Sequence, residues 1–258
     1  GPLGDAIGPA WTASFADNHN SDIGLLFVPS APKPKLAIFG GRTSTVLGGA
    51  SAYSDEVYFA SLDGSSLEAP TLAAHLTAPR ASVMAIGYGG FIYAIGGQTD
   101  ADWATADVDM LEVDGKVDGA AANFVATKPM HNAANGQPYQ ARDIALCTGD
   151  HTLYAVGGAA LSDPLAFVLM THIQDDGHLS DWQSLTPLPA GRSAAGCFVA
   201  HGQVYVLGGR AGAPIADVLS APVLLGDTLG GWDTRAPGAT TPHQPLPAPR
   251  AHIAVTAY

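Results

Sequence analysis

Charged side chains are scarce in this sequence, and long apolar runs are missing. Charged residues make up 13 % of the 258 residues, about half the usual share. No run of about 18 uninterrupted apolar residues occurs, so the sequence predicts no membrane-spanning helix. The formal net charge of −12 would repel a phosphate backbone, and no basic stripe offsets it. We therefore expect neither membrane insertion nor a nucleic-acid partner.

Sequence motifs for catalysis and for metal binding are also missing. There is no Gly-x-Ser-x-Gly elbow and no Gly-x-x-x-x-Gly-Lys phosphate loop. The nine histidines lack the spacing of a zinc site. The acidic stretch from Asp100 to Asp109 lacks the spacing of a calcium loop. We expect no metal and no cofactor, and the sequence singles out no catalytic residue.

Glycine and proline, by contrast, are abundant, and the glycines form a repeat. The 31 glycines and 19 prolines favour many turns over long helices. Three times, an arginine is followed after 14 or 15 residues by a glycine pair: Arg80 by Gly96-Gly97, Arg142 by Gly157-Gly158, and Arg192 by Gly208-Gly209. Gly40-Gly41 is a fourth pair, and Arg250 is a fourth arginine. Self-similarity at this spacing predicts a repeat architecture.

Each repeat reads as four short strands. The first strand follows the arginine, and the second carries a tyrosine three residues before the glycines, at Tyr93, Tyr154 and Tyr205, with Ala37 in the first copy. The third strand is expected around Val57, Val108, Phe167 and Val218. The turns expected before the fourth strand are Asp63-Gly64, Asp114-Gly115, Asp176-Gly177 and the reversed Gly226-Asp227. Leu179 with Trp182, and Leu229 with Trp232, mark that strand twice. Tyrosine and tryptophan would fill the space between units and keep a polar tip for a hydrogen bond.

This pattern resembles the kelch-repeat β-propellers. In that family an arginine precedes strand one, tyrosine and a glycine pair lie on strand two, and tryptophan lies on strand four. The fourth unit matches at Arg192, Tyr205, Gly208, Gly209 and Trp232, and the third at Arg142, Tyr154, Gly157, Gly158 and Trp182. The first two units depart from the pattern, with Pro70 and Ala120 in place of tryptophan. The resemblance spans Trp11 to Tyr258 and implies an all-β propeller of four-stranded blades. It implies no single function, because the family hosts binding proteins and unrelated enzymes.

The two ends of the chain bear on how such a ring would close. Gly1–Gly4 reads as a cleavage scar, and 5–258 as one propeller domain. Residues 10–15 read as a lone fourth strand, and His252–Tyr258 as a lone first strand. This favours five sectors, four complete and one partial, over a four-bladed ring. The fifth blade is then a two-stranded remnant, is completed by a second chain, or belongs to a longer protein.

The cysteine count bears on the redox compartment. The sequence has two cysteines, Cys147 and Cys197, each five residues after a repeat arginine. This equivalence predicts small buried residues on corresponding strands and no disulfide, because strands of neighbouring blades usually lie too far apart. We therefore expect two free cysteines, and the compartment stays open.

The candidate binding residues are the repeat arginines and one tryptophan. We expect Arg80, Arg142, Arg192 and Arg250 around one mouth of an axial channel. There they could hold a carboxylate, sulfate or phosphate through bidentate contacts. Alternatively, each arginine ties its blade to the next through carbonyls or an acidic side chain. Trp103 is the candidate aromatic contact on a variable loop, with loop packing as the alternative.

The resulting functional expectation is a non-enzymatic binding propeller that presents its loops to a protein or glycan partner. One alternative is a sugar-modifying enzyme of isomerase or lyase type, with its site at the mouth of the channel. The other is a structural module that docks through the incomplete fifth blade. The composition fits a bacterial protein at the cell surface or secreted from the cell.

Overall fold

All the secondary-structure elements in the described residues are β-strands. The structure is a computed structural model, and it describes residues 19–29, 33–44, 51–64, 66–113, 123–132, 135–235 and 240–253. Within these ranges no helix is long and apolar enough to cross a membrane. The prediction of an all-β chain is confirmed.

The strands fall into four units along the chain. The first unit contains β1 (His19–Ser21), β2 (Gly24–Val28), β3 (Lys35–Phe39), β4 (Arg42–Ser44), β5 (Ser51–Tyr53), β6 (Glu56–Asp63), β7 (Ser66–Leu67) and β8 (Thr71–His75). The second contains β9 (Met84–Tyr88), β10 (Phe91–Ile95), β11 (Val108–Glu112) and β12 (Val125–Ala126). The third contains β13 (Ala145–Thr148), β14 (Thr152–Val156), β15 (Ala159–Ala160), β16 (Asp163–Pro164), β17 (Val168–His172) and β18 (Gln183–Ser184). The fourth contains β19 (Gly196–Ala200), β20 (Gln203–Leu207), β21 (Arg210–Ala211), β22 (Ala213–Pro214), β23 (Val218–Leu224) and β24 (Thr228–Leu229).

Each unit forms one antiparallel sheet with the same strand order. Sheet 1 has the order β2-β3-β6-β7, with β8 also paired to β6, and sheet 2 has the order β9-β10-β11-β12. Sheets 3 and 4 have the orders β13-β14-β17-β18 and β19-β20-β23-β24. The small pairings β1-β4-β5, β15-β16 and β21-β22 lie outside these sheets. The expected four-strand pattern is therefore confirmed in all four units.

The four sheets pack against one another in sequence order. We call β2, β9, β13 and β19 the inner strands, and β2 packs on β9, β9 on β13, and β13 on β19. One apolar cluster fills each gap, with Phe39 and Ile92 between sheets 1 and 2. Tyr93 and Leu153 belong to the cluster between sheets 2 and 3, and Met170 and Val206 to the cluster between sheets 3 and 4. The core is thus divided among the interfaces between sheets.

Aromatic side chains fill these interfaces, and their polar atoms form hydrogen bonds to the neighbouring unit. The indole of Trp182 is buried and donates to the carbonyl of Lys128 at 2.9 Å. Trp232 donates to the carbonyl of Thr186 at the same distance. Lys128 and Thr186 each lie two residues beyond the fourth strand of the preceding sheet. The predicted role of tryptophan, filling space and hydrogen bonding between units, is confirmed.

The boundaries of the outer strands differ from the prediction. In sheet 3 the fourth strand begins after Trp182, and Leu179 makes only an isolated bridge to Ile173. The turn at Asp114-Gly115, the strand expected at residues 10–15 and most of the strand expected at 252–258 lie outside the described residues. The described inner strands form an open series that begins at β2 and ends at β19.

The expectation of two free cysteines is wrong. Cys147 on β13 and Cys197 on β19 form a disulfide, with 5.3 Å between their Cα atoms. Neighbouring inner strands pack directly on each other, so their backbones approach more closely than those of outer strands. The bond joins sheets 3 and 4 across a sequence separation of 50 residues.

Removing this disulfide tests its contribution to the fold. We expect Cys147→Ala/Cys197→Ala to lower the free energy of unfolding by about 2–4 kcal/mol, because the bond restricts the unfolded chain. Urea denaturation with and without reductant measures the effect. Reductant should lower the urea midpoint of the parent and leave that of the double variant unchanged. An unchanged midpoint in the parent would contradict a stabilising contribution from the disulfide.

Candidate functional site at the loop end

The candidate site is the end of the sheets where each inner strand begins, which we call the loop end. The register pairs Gly24 of β2 with Phe39 of β3, and Phe39 with Val57 of β6. The start of the inner strand, the end of the second strand and the start of the third strand are therefore side by side. The loops between second and third strands consequently emerge at this end in every sheet.

A repeated backbone contact joins neighbouring sheets at the loop end, and we call it the junction contact. The second glycine of each pair donates its amide to a backbone carbonyl further along the chain at 2.8–3.0 Å. In the first three units the acceptor lies just before the next inner strand, and the donor–acceptor pairs are Gly41 to Arg80, Gly97 to Ala141, Gly158 to Arg192, and Gly209 to Arg250. A Cβ atom on the first glycine of each pair would overlap the same carbonyl oxygen. Both glycines of each pair have positive φ. The glycine pair is therefore required by the close approach of the sheets.

The junction contact shows that the arginine repeat slips by one residue in the third unit. Arg80, Arg192 and Arg250 each accept the glycine amide, whereas the third unit uses Ala141, and Arg142 follows it. A second marker agrees, since φ lies between 50° and 57° at Asp22, Ser82, Asp143, Ala194 and His252. This one-residue shift explains why 14 residues, instead of 15, separate Arg142 from its glycine pair. The prediction that Arg142 is equivalent to the other repeat arginines is wrong.

Two of the repeat arginines are buried inside their own sheets. The Nη1 atom of Arg80 donates to the carbonyl of Gly96 at 3.1 Å, and its Nη2 atom to Asp109 at 2.5 Å. Arg192 donates to the carbonyl of Gly208 at 3.1 Å and to Asp217 at 2.7 Å. Both arginine side chains are at most 3 % exposed. These contacts tie the second strand to the third within one sheet, so the two side chains have an architectural role. The expectation that these side chains tie one blade to the next is wrong.

The other two repeat arginines are more accessible. Arg142 donates to Asp143 at 2.8 Å and to the carbonyl of Leu161 at 3.0 Å. Arg250 is exposed. The arginines therefore do not present four equivalent guanidinium groups. Anion binding by them stays a prediction.

The contrast between Arg80 and Arg250 gives a matched test of the architectural role. Arg80→Gln leaves the buried carboxylate of Asp109 without a counter-charge and with only its hydrogen bonds from Thr77. We expect a loss of about 3–5 kcal/mol in the free energy of unfolding. Arg250→Gln occupies the equivalent junction position on the surface and should change stability by less than about 0.5 kcal/mol. Urea denaturation of both variants measures this, and equal losses would count against the assignment.

A polar group that the sequence did not reveal spans sheets 1 and 2 at the loop end. The hydroxyl of Tyr53 accepts from Arg42 at 3.3 Å and from Gln98 at 2.7 Å. The Arg42 guanidinium lies 5.4 Å from the centre of the Tyr53 ring and 4.0 Å from Asp22. Arg42 and Gln98 each directly follow a glycine pair, and this shared position was the available signal. The contact itself joins residues from different units, so no local motif marks it.

The starts of the inner strands form a second polar group. The amide of Ser82 donates to Asp22, that of Ala194 to Asp143, and that of His252 to Ala194, at 2.7–2.8 Å between backbone atoms. Burial raises the pKa of Asp143, while the charges of Arg142 and His252 act to lower it and that of Asp22 to raise it. Charged groups from several sheets therefore interact at this end of the molecule.

The raised pKa of Asp143 predicts how its removal depends on pH. A carboxyl whose pKa is raised on folding favours the folded state below its ordinary value of 3.8, and this contribution is lost as the pH rises through the folded pKa. We therefore expect the change in stability caused by Asp143→Asn to be more favourable at about pH 7, where the carboxyl of the parent is ionised, than at about pH 3. Melting temperatures of parent and variant at the two pH values measure this. A variant effect that becomes more favourable as the pH falls would contradict it.

Trp103 lies exposed on an ordered loop at the same end. The residue is 59 % exposed, so much of its surface is available to a partner. A turn holds the loop, with the amide of Thr99 donating to Asp102 at 2.9 Å and the amide of Asp102 donating to the Thr99 hydroxyl at 3.0 Å. Leu161, on the corresponding loop of sheet 3, is 58 % exposed. The loop end thus presents apolar side chains on fixed loops beside the polar groups.

Among the residues that the structure describes, no group of three or more histidine, cysteine or acidic side chains could hold a metal ion.

Comparison with known proteins identifies the fold alone. No family model matches the sequence, and no curated protein matches it. The chain is similar to a solved structure titled "Structure of YjhT", with a TM-score of 0.63 and 13 % sequence identity. The similarity covers 90 % of this chain and 73 % of that one. At this identity the likeness supports the arrangement of strands and carries no information on activity.

Proposed function

We propose that the protein is a non-enzymatic binding propeller of kelch type that presents its loop end to a glycan or protein partner. The repeated four-stranded sheets and their sequential packing support the propeller arrangement. The recurrence of the junction contact at Arg250 continues the series beyond sheet 4 and favours five sectors over four. The first 18 residues and the last five lie outside the described residues, so closure of the ring belongs to the proposal.

The exposure of Trp103 on a hydrogen-bonded loop is the observation that carries the binding role. An aromatic side chain held in place before binding loses little conformational entropy when a partner covers it. Tryptophan is also the residue type most enriched at the energetic centres of interfaces. Binding residues are commonly found on loops supported by a rigid β scaffold.

The polar group around Tyr53 supports a glycan as the partner. A sugar ring offers an apolar face to an aromatic side chain and hydroxyl groups to planar donors and acceptors. Arg42 and Gln98 supply such donors, and both are within hydrogen-bonding distance of the Tyr53 hydroxyl. Their mutual hydrogen bonds fix the side chains before a ligand arrives, which favours affinity.

Matched variants at the loop end test this function. In binding to an immobilised glycan array, Trp103→Ala and Arg42→Gln should each weaken binding about tenfold or more, equivalent to about 1.4 kcal/mol. Arg210→Gln is the control, because Arg210 follows the glycine pair of sheet 4 as Arg42 follows that of sheet 1. Leu225→Ala, at a fully exposed residue away from the loop end, is the control for Trp103. Loss of binding in the controls alone would contradict a binding site at the loop end, and no glycan bound by the parent would contradict a glycan as the partner.

A structural docking role is the second candidate, and the outer face of sheet 1 favours it. Leu25 and Phe27 of β2 and Leu72 of β8 are each at least 50 % exposed on sheet 1. An exposed apolar sheet face of this kind is typical of a surface that another sheet or chain covers. Sedimentation velocity separates this role from the first, since Leu25→Ser should abolish any self-association of the parent.

The enzyme alternative receives less support from the geometry. A pocket combining a repeat arginine with a histidine or a carboxylate would favour it. Arg142 contacts Asp143 at the loop end, but the described lining of the cavity discussed below includes none of these residue types.

A further inference from the structure

A cavity lies between the inner strands, away from the loop end. Its volume is about 500 Å³, and it is lined from four directions by residues 26–29, 86–92, 146–148 and 197–199, with Val113. The lining includes the hairpin turn at Gly89-Gly90 and the residues that follow β2, so the cavity belongs to the end opposite the glycine pairs. Its volume lies within the range of small-molecule sites, about 300–1,000 Å³.

Among the residues that the structure describes, those lining this cavity include no aspartate, glutamate, lysine, arginine or histidine. This is notable in a chain with 34 acidic and basic residues, 23 Asp and Glu plus 11 Lys and Arg. Apolar side chains at corresponding places on the inner strands are only partly buried, and they include Leu26, Ile86 and Phe198. A ligand in the cavity would therefore meet apolar surface and no formal charge.

The polar part of the walls comes from the backbone and from the side chains of Tyr88 and Thr148. Each inner strand is an edge strand of its described sheet, so one side of its backbone has no neighbouring strand in that sheet. An edge strand offers N–H and C=O groups in alternation. These groups are uncharged and held in place by the sheets. The Cys147–Cys197 disulfide further fixes the spacing of β13 and β19, and both cysteines belong to the lining.

We propose that this cavity binds a small neutral molecule with an apolar ring and a hydrogen-bonding edge, and that it discriminates against charged molecules of the same shape. The apolar side chains contact the ring, and the edge-strand amides and carbonyls satisfy its polar groups. A charged ligand would lose its hydration without gaining a counter-charge, which is unfavourable. The cavity and the loop end are separate, so this site does not depend on glycan or protein binding at Trp103.

A pair of matched fluorescent probes tests the discrimination in the full chain. N-phenyl-1-naphthylamine is neutral, and 1-anilinonaphthalene-8-sulfonate has the same ring system with an added sulfonate. We expect the parent to bind the neutral probe about tenfold more tightly or better, as the desolvation penalty requires. Equal affinity for both probes, or no binding of the neutral probe, would overturn the proposal.

Two variants in the cavity wall test whether the probe binds in the cavity. Ile86→Trp fills the space and should weaken binding of the neutral probe about tenfold. Leu225→Trp adds the same side chain at a fully exposed position and should not weaken this binding. Thr148→Lys adds a cation to the wall and should shift the preference towards the sulfonate probe, even if Ile86→Trp does not fold. Val125→Ser removes exposed apolar surface outside the lining and should leave both affinities unchanged. A probe displaced by Val125→Ser or unaffected by both cavity variants binds elsewhere, and the proposal would fail.

Discussion

The close backbone contact between each glycine pair and the start of the next inner strand is the constraint on which the arrangement of sheets depends. The second glycine donates to a carbonyl of the next sheet, and the first has no room for a side chain. This contact sets the spacing of the sheets at the loop end. The spacing in turn brings the inner strands together, allows Cys147 and Cys197 to bond, and leaves a cavity between the four inner strands.

Much of the fold could be predicted because its signals are local. Glycine pairs, tyrosines and turns recur within each unit, and the four-strand pattern followed from them. The third unit was misread because a one-residue difference in spacing is hidden when Arg142 is aligned on Arg192. Side chains alternate between the faces of a strand, so a slip of one residue moves each of them to the other face. Cys147 therefore corresponds to Phe198 rather than to Cys197, and the two cysteines lie on the facing sides of neighbouring sheets.

The candidate site was less predictable because its contacts cross between units. Trp103 could be identified from the sequence as an aromatic residue in a variable loop, and its side chain is exposed in the structure. The group around Tyr53 joins residues 45 positions apart in the chain, and neither Arg42 nor Gln98 belongs to a recognisable motif. The repeat arginines were the most conspicuous candidates, yet Arg80 and Arg192 use their guanidinium groups within their own sheets. Repetition in this chain thus indicates architecture more than recognition.

The two ends of the sheets consequently differ in chemistry. The loop end carries Asp22, Arg42, Arg142 and Asp143 together with an exposed indole. The described lining of the cavity at the other end consists of uncharged residues and strand edges. This division follows from the fold, because variable loops leave one end and short hairpin turns close the other. The proposed partner at the loop end and the proposed neutral ligand in the cavity match these two environments.

Amide hydrogen exchange at the second glycine of each pair tests the central constraint most directly. Gly41, Gly97, Gly158 and Gly209 lie next to loops, and an amide in such a position would ordinarily exchange quickly. The account predicts that all four are protected, to a degree similar to the amides of the adjoining second strands. Fast exchange at Gly97, comparable to that of its loop, would contradict both the junction contact and the assignment of Ala141 as its acceptor.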